Sequence, residues 1–415
     1  GKTKLGLISK SAYFLSTIPA NIKFLLSDVR KNPLKSKNYT NFNRDKIIKI
    51  DKLKDYNSLL LISRWDGDQK LNVIDLYEIN KFKLIKTFKI DLEKIYSSID
   101  LKEDDFITNR VNLDIKRMRV FHPYIKKNGN IVFHTDYSRL IEIDKCGKLV
   151  NYSPYSHGVF HHSISVSFDE KYYWVPIALT KHSKEIKKKI SKNNKFLMNG
   201  IIKLDSDFNI LFKKSVYEIL LDNNLIGDGF FAKEDIDHIN DIEIANFDGK
   251  FFLKDDIFLS LRDLNQIIHY RPSTNKVIKV IVGPFSMQHD VDIISENELS
   301  IFNNNNFGKD NNYSNIIIYN FETKNFDNIF EDQLRKIKFK SLSEGLADHL
   351  KDKSFMLEES NQGRLVIINK NKELELQYLN LSKNNKLFLL NWSRIINDNN
   401  KIENLKKVFN IEICD

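Results

Sequence analysis

From about residue 57 onward the chain alternates short apolar runs with turn residues, and helical periodicity is rare. Leu59-Leu60-Leu61-Ile62-Ser63, Leu71-Asn72-Val73-Ile74-Asp75-Leu76 and Lys83-Leu84-Ile85-Lys86-Thr87-Phe88 read as three strands of a meander. Short runs of this kind, bounded by turn residues, fit strands better than helices. The same phrase returns at residues 131–134, 140–144 and 148–150, where Cys146-Gly147 supplies a turn. It returns again at 257–260, 266–270 and 277–280, with further copies through 298–302, 316–319 and 364–368.

Units begin near residues 57, 122, 162, 240, 289 and 345. Meanders repeating every 40–50 residues or so are the signature of a β-propeller. The expected fold is therefore all-β, a propeller of six blades, although the long 162–240 interval leaves room for a seventh. Within that interval the Lys-rich stretch from His182 to Lys195 reads as a solvated insertion. Lys46-Ile47-Ile48-Lys49-Ile50 fits a strand that closes the last blade. Residues 5–27 are mostly apolar but are interrupted by Lys10, Pro19, Asn21 and Lys23. That pattern suits an interfacial or docking helix, kinked at Pro19, better than a spanning one. The expected layout is a short helical, interfacial extension over 1–45 and a propeller domain over 46–415. The first residue is Gly rather than Met, which leaves room for an upstream signal or anchor.

Composition changes this picture little. A hydrophobic content of 41% excludes wholesale disorder. The net charge of +10 comes from 65 basic residues scattered among 55 acidic ones. No basic patch interleaved with stacking aromatics stands out, so nucleic acid is not an expected partner. The two cysteines, Cys146 and Cys414, have no metal-ligand spacing and support no disulfide framework. No Gly-x-x-x-x-Gly-Lys-Ser/Thr loop for a nucleotide phosphate is present.

The chemistry lies where the units open. In a propeller the innermost strand of each blade lines the central channel, and its first residues face one mouth. His122-Pro123-Tyr124 opens the second unit and His162-Ser163-Ile164 the third. Asn240-Asp241-Ile242 opens the fourth, with His238 two residues earlier, and His289-Asp290-Val291 opens the fifth after a Gly283-Pro284 turn. A single histidine at a strand end is usually a hydrogen-bonded structural residue. Several in one register point to a shared axial pocket. A histidine-rich metal site is one reading of such a pocket. Arg262, in Ser260-Leu261-Arg262-Asp263, argues for an anion instead, unless it serves only a surface pair with Asp263.

These residues resemble the bacterial arylsulfate sulfotransferase family, the propeller-fold type that does not use an adenylyl-sulfate donor. The most specific parts are His238-Ile239-Asn240, Ser260-Leu261-Arg262 and Gly283-Pro284-Phe285-Ser286-Met287-Gln288-His289-Asp290. Phe160-His161-His162, Phe121-His122-Pro123 and Ser63-Arg64-Trp65-Asp66 add to it. The resemblance implies that His289 is the nucleophile that takes up a sulfuryl group. It implies that His238, Asn240 and Arg262 surround the sulfate, and that one of the His161-His162 pair, His162 by register, completes the catalytic set. It also places His161, His122 and Arg64 on the substrate-binding side. The implied activity is ping-pong transfer from an aryl sulfate donor to a phenolic or other hydroxyl acceptor, with no cofactor and no metal. The implied location is the periplasm, with membrane contact through residues 5–27. The alternative is a non-catalytic propeller that binds a partner protein or anionic glycan at a membrane surface.

Overall fold

The computed structural model describes residues 56–99, 115, 118–135, 137–179, 198–227, 235–308, 312–350 and 353–410. It also gives the backbone of two short strands, Lys37–Asn38 and Ile47–Lys49. The apolar segment 5–27, the Lys-rich stretch 182–195 and Cys414 lie outside the described residues.

Six antiparallel sheets form a six-bladed β-propeller. Blade 2 is built from Phe121–Ile125, Ile131–His134, Leu140–Ile143 and Leu149–Tyr152, innermost strand first. The inner strand of blade 3 comes in two pieces, Val159–Phe160 and Ser165–Val166. Blades 4, 5 and 6 open with Ile239–Ile244, Val291–Ser295 and Leu346–His349. The observed openings fall within a few residues of the expected ones.

The first blade differs. Leu59–Asp66 is its second strand, and its innermost strand is Arg394–Ile396, delivered from the far end of the chain. Ring closure thus belongs to Arg394–Ile396. The expected closing strand, seen at Ile47–Lys49, adds a fifth and outermost strand to blade 6, paired with Leu374–Leu379. Arg-Ile-Ile is too short to carry an alternation signal, so the sequence pattern passed over it.

Packing explains why the strands read as unbroken apolar runs. Each blade buries both faces against its neighbours, so successive side chains on opposite faces are all apolar. Leu59 and Leu61 pack with Ile131 and Phe133 of blade 2, while Leu60 and Ile62 pack with Met356 and Leu365 of blade 6. Six apolar clusters fill the six gaps between blades.

The inner strands line a channel and do not pair with one another, so some of their N–H groups need side-chain acceptors. A ring of hydrogen bonds between side chain and backbone runs around the axis. Arg394 Nε donates to Pro123 O at 3.3 Å, and Ile164 N to His122 Nδ1 at 3.0 Å. Ile242 N donates to Ser163 Oγ at 3.1 Å, and Val291 N to Asp241 Oδ2 at 2.9 Å. Ala347 N donates to Asp290 Oδ2 at 2.8 Å, and Ile395 N to Asp348 Oδ2 at 2.7 Å. Each blade is thereby clasped to the next.

Cys146, at the turn in blade 2, is disulfide-bonded. This corrects the sequence reading, because a single bridge leaves no spacing signature. Among the described residues no helix is long and apolar enough to cross a membrane.

Candidate active site

Four imidazoles from three consecutive blades meet at one mouth of the channel. His161 and His162 stand between the two pieces of blade 3's inner strand, His238 just before that of blade 4, and His289 just before that of blade 5. The ring of His162 is 4.9 Å from His161, 5.1 Å from His238 and 6.0 Å from His289, centroid to centroid. His161 and His238 are 5.9 Å apart. All four rings are buried.

The backbone that aims them is unusual. A non-glycine residue with left-handed φ stands at or just before all six inner strands: His122 (40°), His162 (59°), Asp235 (60°), Met287 (59°), Glu344 (58°) and Trp392 (62°). Such residues are uncommon, and they cluster where a side chain must be turned toward a site. The sharp turn leaves the side chains beside it, His161, His162, His238 and His289 among them, at the head of the inner strands.

Arg262 follows the second strand of blade 4, Ile257–Leu261, and its backbone N–H donates to His238 O at 2.9 Å. Its guanidinium pairs with Asp263 at 3.2 Å. Burial works against its charge, but Asp263 and then Asp235 outweigh burial and hold it above its usual value. The same positive charge bears on the rings of His162 and His289. Arg262 is thus paired with Asp263, and its charge is felt at the rings of His162 and His289.

The imidazoles of His161, His162 and His289 are held neutral. Burial, and then the charge of Arg262, push His289 down to about 3. Burial and the neighbouring histidines push His161 and His162 well below the usual range. His289 Nδ1 has two acceptors, Asn304 Oδ1 at 2.7 Å and Met287 O at 3.1 Å, so the proton sits on Nδ1. Its Nε2 accepts from the backbone N–H of Glu344 at 2.9 Å. Asn304 closes this small circuit by donating from Nδ2 to Glu344 O at 2.8 Å. The Glu344 carboxylate is gripped by Arg119 through two hydrogen bonds, at 2.8 and 3.1 Å.

Of the other expected site residues, Asn240 lies beside the cluster, whereas His122 and Arg64 make their contacts elsewhere. His122 accepts from Ile164 N and lines the channel cavity, packed edge-on to Trp392 at 5.3 Å. Arg64 is not drawn to the histidines: it pairs with Asp75 at 2.7 Å and Asp66 at 3.3 Å within blade 1. Asn240 is buried beside the cluster, where its amide donates to Gln288 O at 2.8 Å and its Oδ1 has no partner. Sequence reading missed Asp235, Asn304, Glu344 and Arg119. Only Asp235, three residues before His238, stood near enough to a quoted motif to be found.

Residues 128–380 match the family described as arylsulfotransferase (ASST). The chain belongs to the arylsulfotransferase family. The match runs through blades 2 to 6 and contains His161, His162, His238, Asn240, Arg262 and His289, but neither His122 nor Arg64. Membership makes arylsulfotransferase-type activity the general expectation for this chain. Among solved structures, a protein of unknown function from Bacteroides caccae is similar at 10% identity. That likeness covers 82% of this chain and 100% of the other, with a TM-score of 0.51. A streptogramin B lyase is similar at 10% identity over 85% of this chain and 97% of its own, TM-score 0.43. Virginiamycin B lyase from Staphylococcus aureus is similar at 14% over 63% and 70%, TM-score 0.37. At these identities the first likeness speaks for the fold alone. No curated protein sequence matches the chain.

Proposed function

We propose that this arylsulfotransferase moves a sulfuryl group from an aryl sulfate donor to a phenolic or other hydroxyl acceptor, by a ping-pong route through a sulfohistidine at His289. One observation carries the reading: the half-buried guanidinium of Arg262 lies near enough to lower the proton affinity of His289, whose Nε2 lone pair is fixed by the Asn304 and Met287 partners of Nδ1.

A sulfate monoester is tetrahedral and monoanionic, and its transfer is expected to pass through a loose transition state like that of phosphoryl transfer. His289 Nε2 attacks sulfur in line as the aryl oxygen leaves. Arg262, with the remaining N–H of Asn240, holds the equatorial oxygens as charge redistributes. His162 or His238 protonates the leaving oxygen and later takes a proton from the acceptor. Donor and acceptor phenols have similar acidity, with a pKa of about 10 for tyrosine-like groups. The exchange therefore runs near thermoneutrality without a nucleotide. The Glu344 amide, which occupies Nε2, gives way to sulfur in this scheme. The disulfide at Cys146 supports an oxidising compartment, which suits the periplasm.

The test is turnover of 4-nitrophenyl sulfate with a phenol acceptor. Nitrophenolate release, parallel double-reciprocal plots and one sulfuryl group mapped to His289 are expected, all lost in His289→Ala. No release with any of a panel of phenols sinks the transferase reading. A sulfuryl group mapped to another histidine sinks the assignment of His289.

A further inference from the structure

We propose that Asp235 is the positioning residue that makes His238, rather than His162, the proton carrier of the reaction; this rests on the sulfotransferase reading above. His238 Nδ1–H donates to Asp235 Oδ2 at 2.8 Å. Its Nε2 is buried, has no partner, and belongs to a ring stacked edge-on to His162 at 5.1 Å. A carboxylate on Nδ1 fixes the tautomer, leaves Nε2 free to exchange a proton, and stabilises the imidazolium that a proton carrier passes through.

His162 lacks that support. Its Nδ1 is 2.7 Å from His161 Nδ1, so one proton is shared between two imidazoles. Burial, and then its titratable neighbours His161, His238, His289 and Arg262, all oppose a positive charge on it. His289 cannot carry the proton while its Nε2 carries sulfur.

Asp235 is itself firmly held. It lies in a turn closed by His238 N donating to Asp235 O at 3.2 Å. Asn199 Nδ2 donates to Asp235 Oδ1 at 2.9 Å and also to Asp237 Oδ1 at 3.0 Å. Its charge also supports Arg262. One carboxylate thus steadies both the proton carrier and the anion clamp.

The step balances as follows. The His289 Nε2–S bond forms while the S–O(aryl) bond breaks, and the aryl oxygen takes the Nε2 proton of a His238 imidazolium, leaving that ring neutral with its Nδ1–H still on Asp235. In the second half the acceptor O–H gives its proton back to His238 Nε2 as the O–S bond forms and the N–S bond breaks.

A proton donor matters most for a poor leaving group, which supplies the test. With wild-type enzyme turning over both phenyl sulfate and 4-nitrophenyl sulfate, Asp235→Asn should lose about 100-fold in kcat on phenyl sulfate but less than about tenfold on the nitrophenyl ester. KM should stay within about threefold for both, and Asp235→Glu should recover part of the loss. Equal losses on the two esters, or a change in KM alone, overturn the inference while leaving the transferase reading intact. If neither ester is turned over by the wild type, the reading beneath it falls first. The tautomer is checked in the unmutated protein by nitrogen NMR of labelled histidine: His238 must keep a proton on Nδ1 in every state, and a neutral ring protonated on Nε2 alone overturns the proposal.

Discussion

A histidine acts through one nitrogen at a time, and at His289 the neighbours choose which. Asn304 Oδ1 and Met287 O both accept, so the Nδ1 proton is fixed and Nε2 keeps its lone pair. The low proton affinity that burial and Arg262 impose means that this lone pair is not lost to protonation at neutral pH. Asn304 is the replaceable part. Asn304→Leu removes one acceptor from Nδ1 and one anchor from the Glu344 carbonyl. Orienting partners of an imidazole are typically worth 10–100-fold in activity. A loss of that order is expected in the burst of nitrophenolate from a single enzyme equivalent, read by stopped flow, with little change in donor KM. The motifs around His238, Arg262 and His289 were legible because they fall at strand mouths in register. Asn304 was not: it belongs to a run of four asparagines, Asn303 to Asn306, in which nothing in the sequence marks one member.

The elements that complete the site are the short segments between strands. Glu344 is tied by its N–H to His289, by its carbonyl to Asn304 and by its carboxylate to Arg119. Gly345 follows with φ +94°, and a Cβ there would meet the Phe302 ring at 2.5 Å. Removing one partner of a mostly buried ion pair is costly because the other charge is left stranded. Glu344→Gln should therefore destabilise by about 3 kcal/mol, seen as a melting temperature lower by several degrees in calorimetry. An unchanged melting temperature would mean that the Arg119 pair contributes nothing to the fold. Strand elements were legible because apolar side chains on both faces leave an unbroken run. Loops such as the one holding Glu344 have no period, and the residues they bring together are far apart in sequence, as Arg119 and Glu344 are.

At the scale of the molecule the channel sets the response to pH. Below the histidine cluster lies a cavity of about 210 Å³ whose lining includes Asp241, Glu243, Asp290, Asp292, Asp348 and Arg394. Burial raises Asp241 to about 6, and burial with Asp241 raises Glu243 to about 8. Carboxyls raised above their unfolded values of about 4 contribute stability that is full below pH 4 and lost as pH climbs through the folded values. Buried His122, His134, His161, His162 and His289 are depressed and act oppositely, losing stability as pH falls below about 6.5. Above 6.5 these histidines are neutral in both states, so the carboxyls act without that opposition. The melting temperature should fall between pH 6.5 and 8, and Glu243→Gln should flatten that fall. A wild-type curve that rises over the window would show that these carboxyls are ionised throughout.

The strand that closes the ring also fixes a moment in biosynthesis. Arg394–Ile396 leaves the ribosome after every other strand of the propeller, yet it is the innermost strand of the blade made first. Until it arrives, the edge of Leu59–Asp66 that it will cover stays open, and an uncovered strand edge is a template for another chain. Pairing across almost the whole sequence is also slow to nucleate. Nascent copies on one messenger are thus most prone to exchange strands with each other in the interval before the last strand emerges.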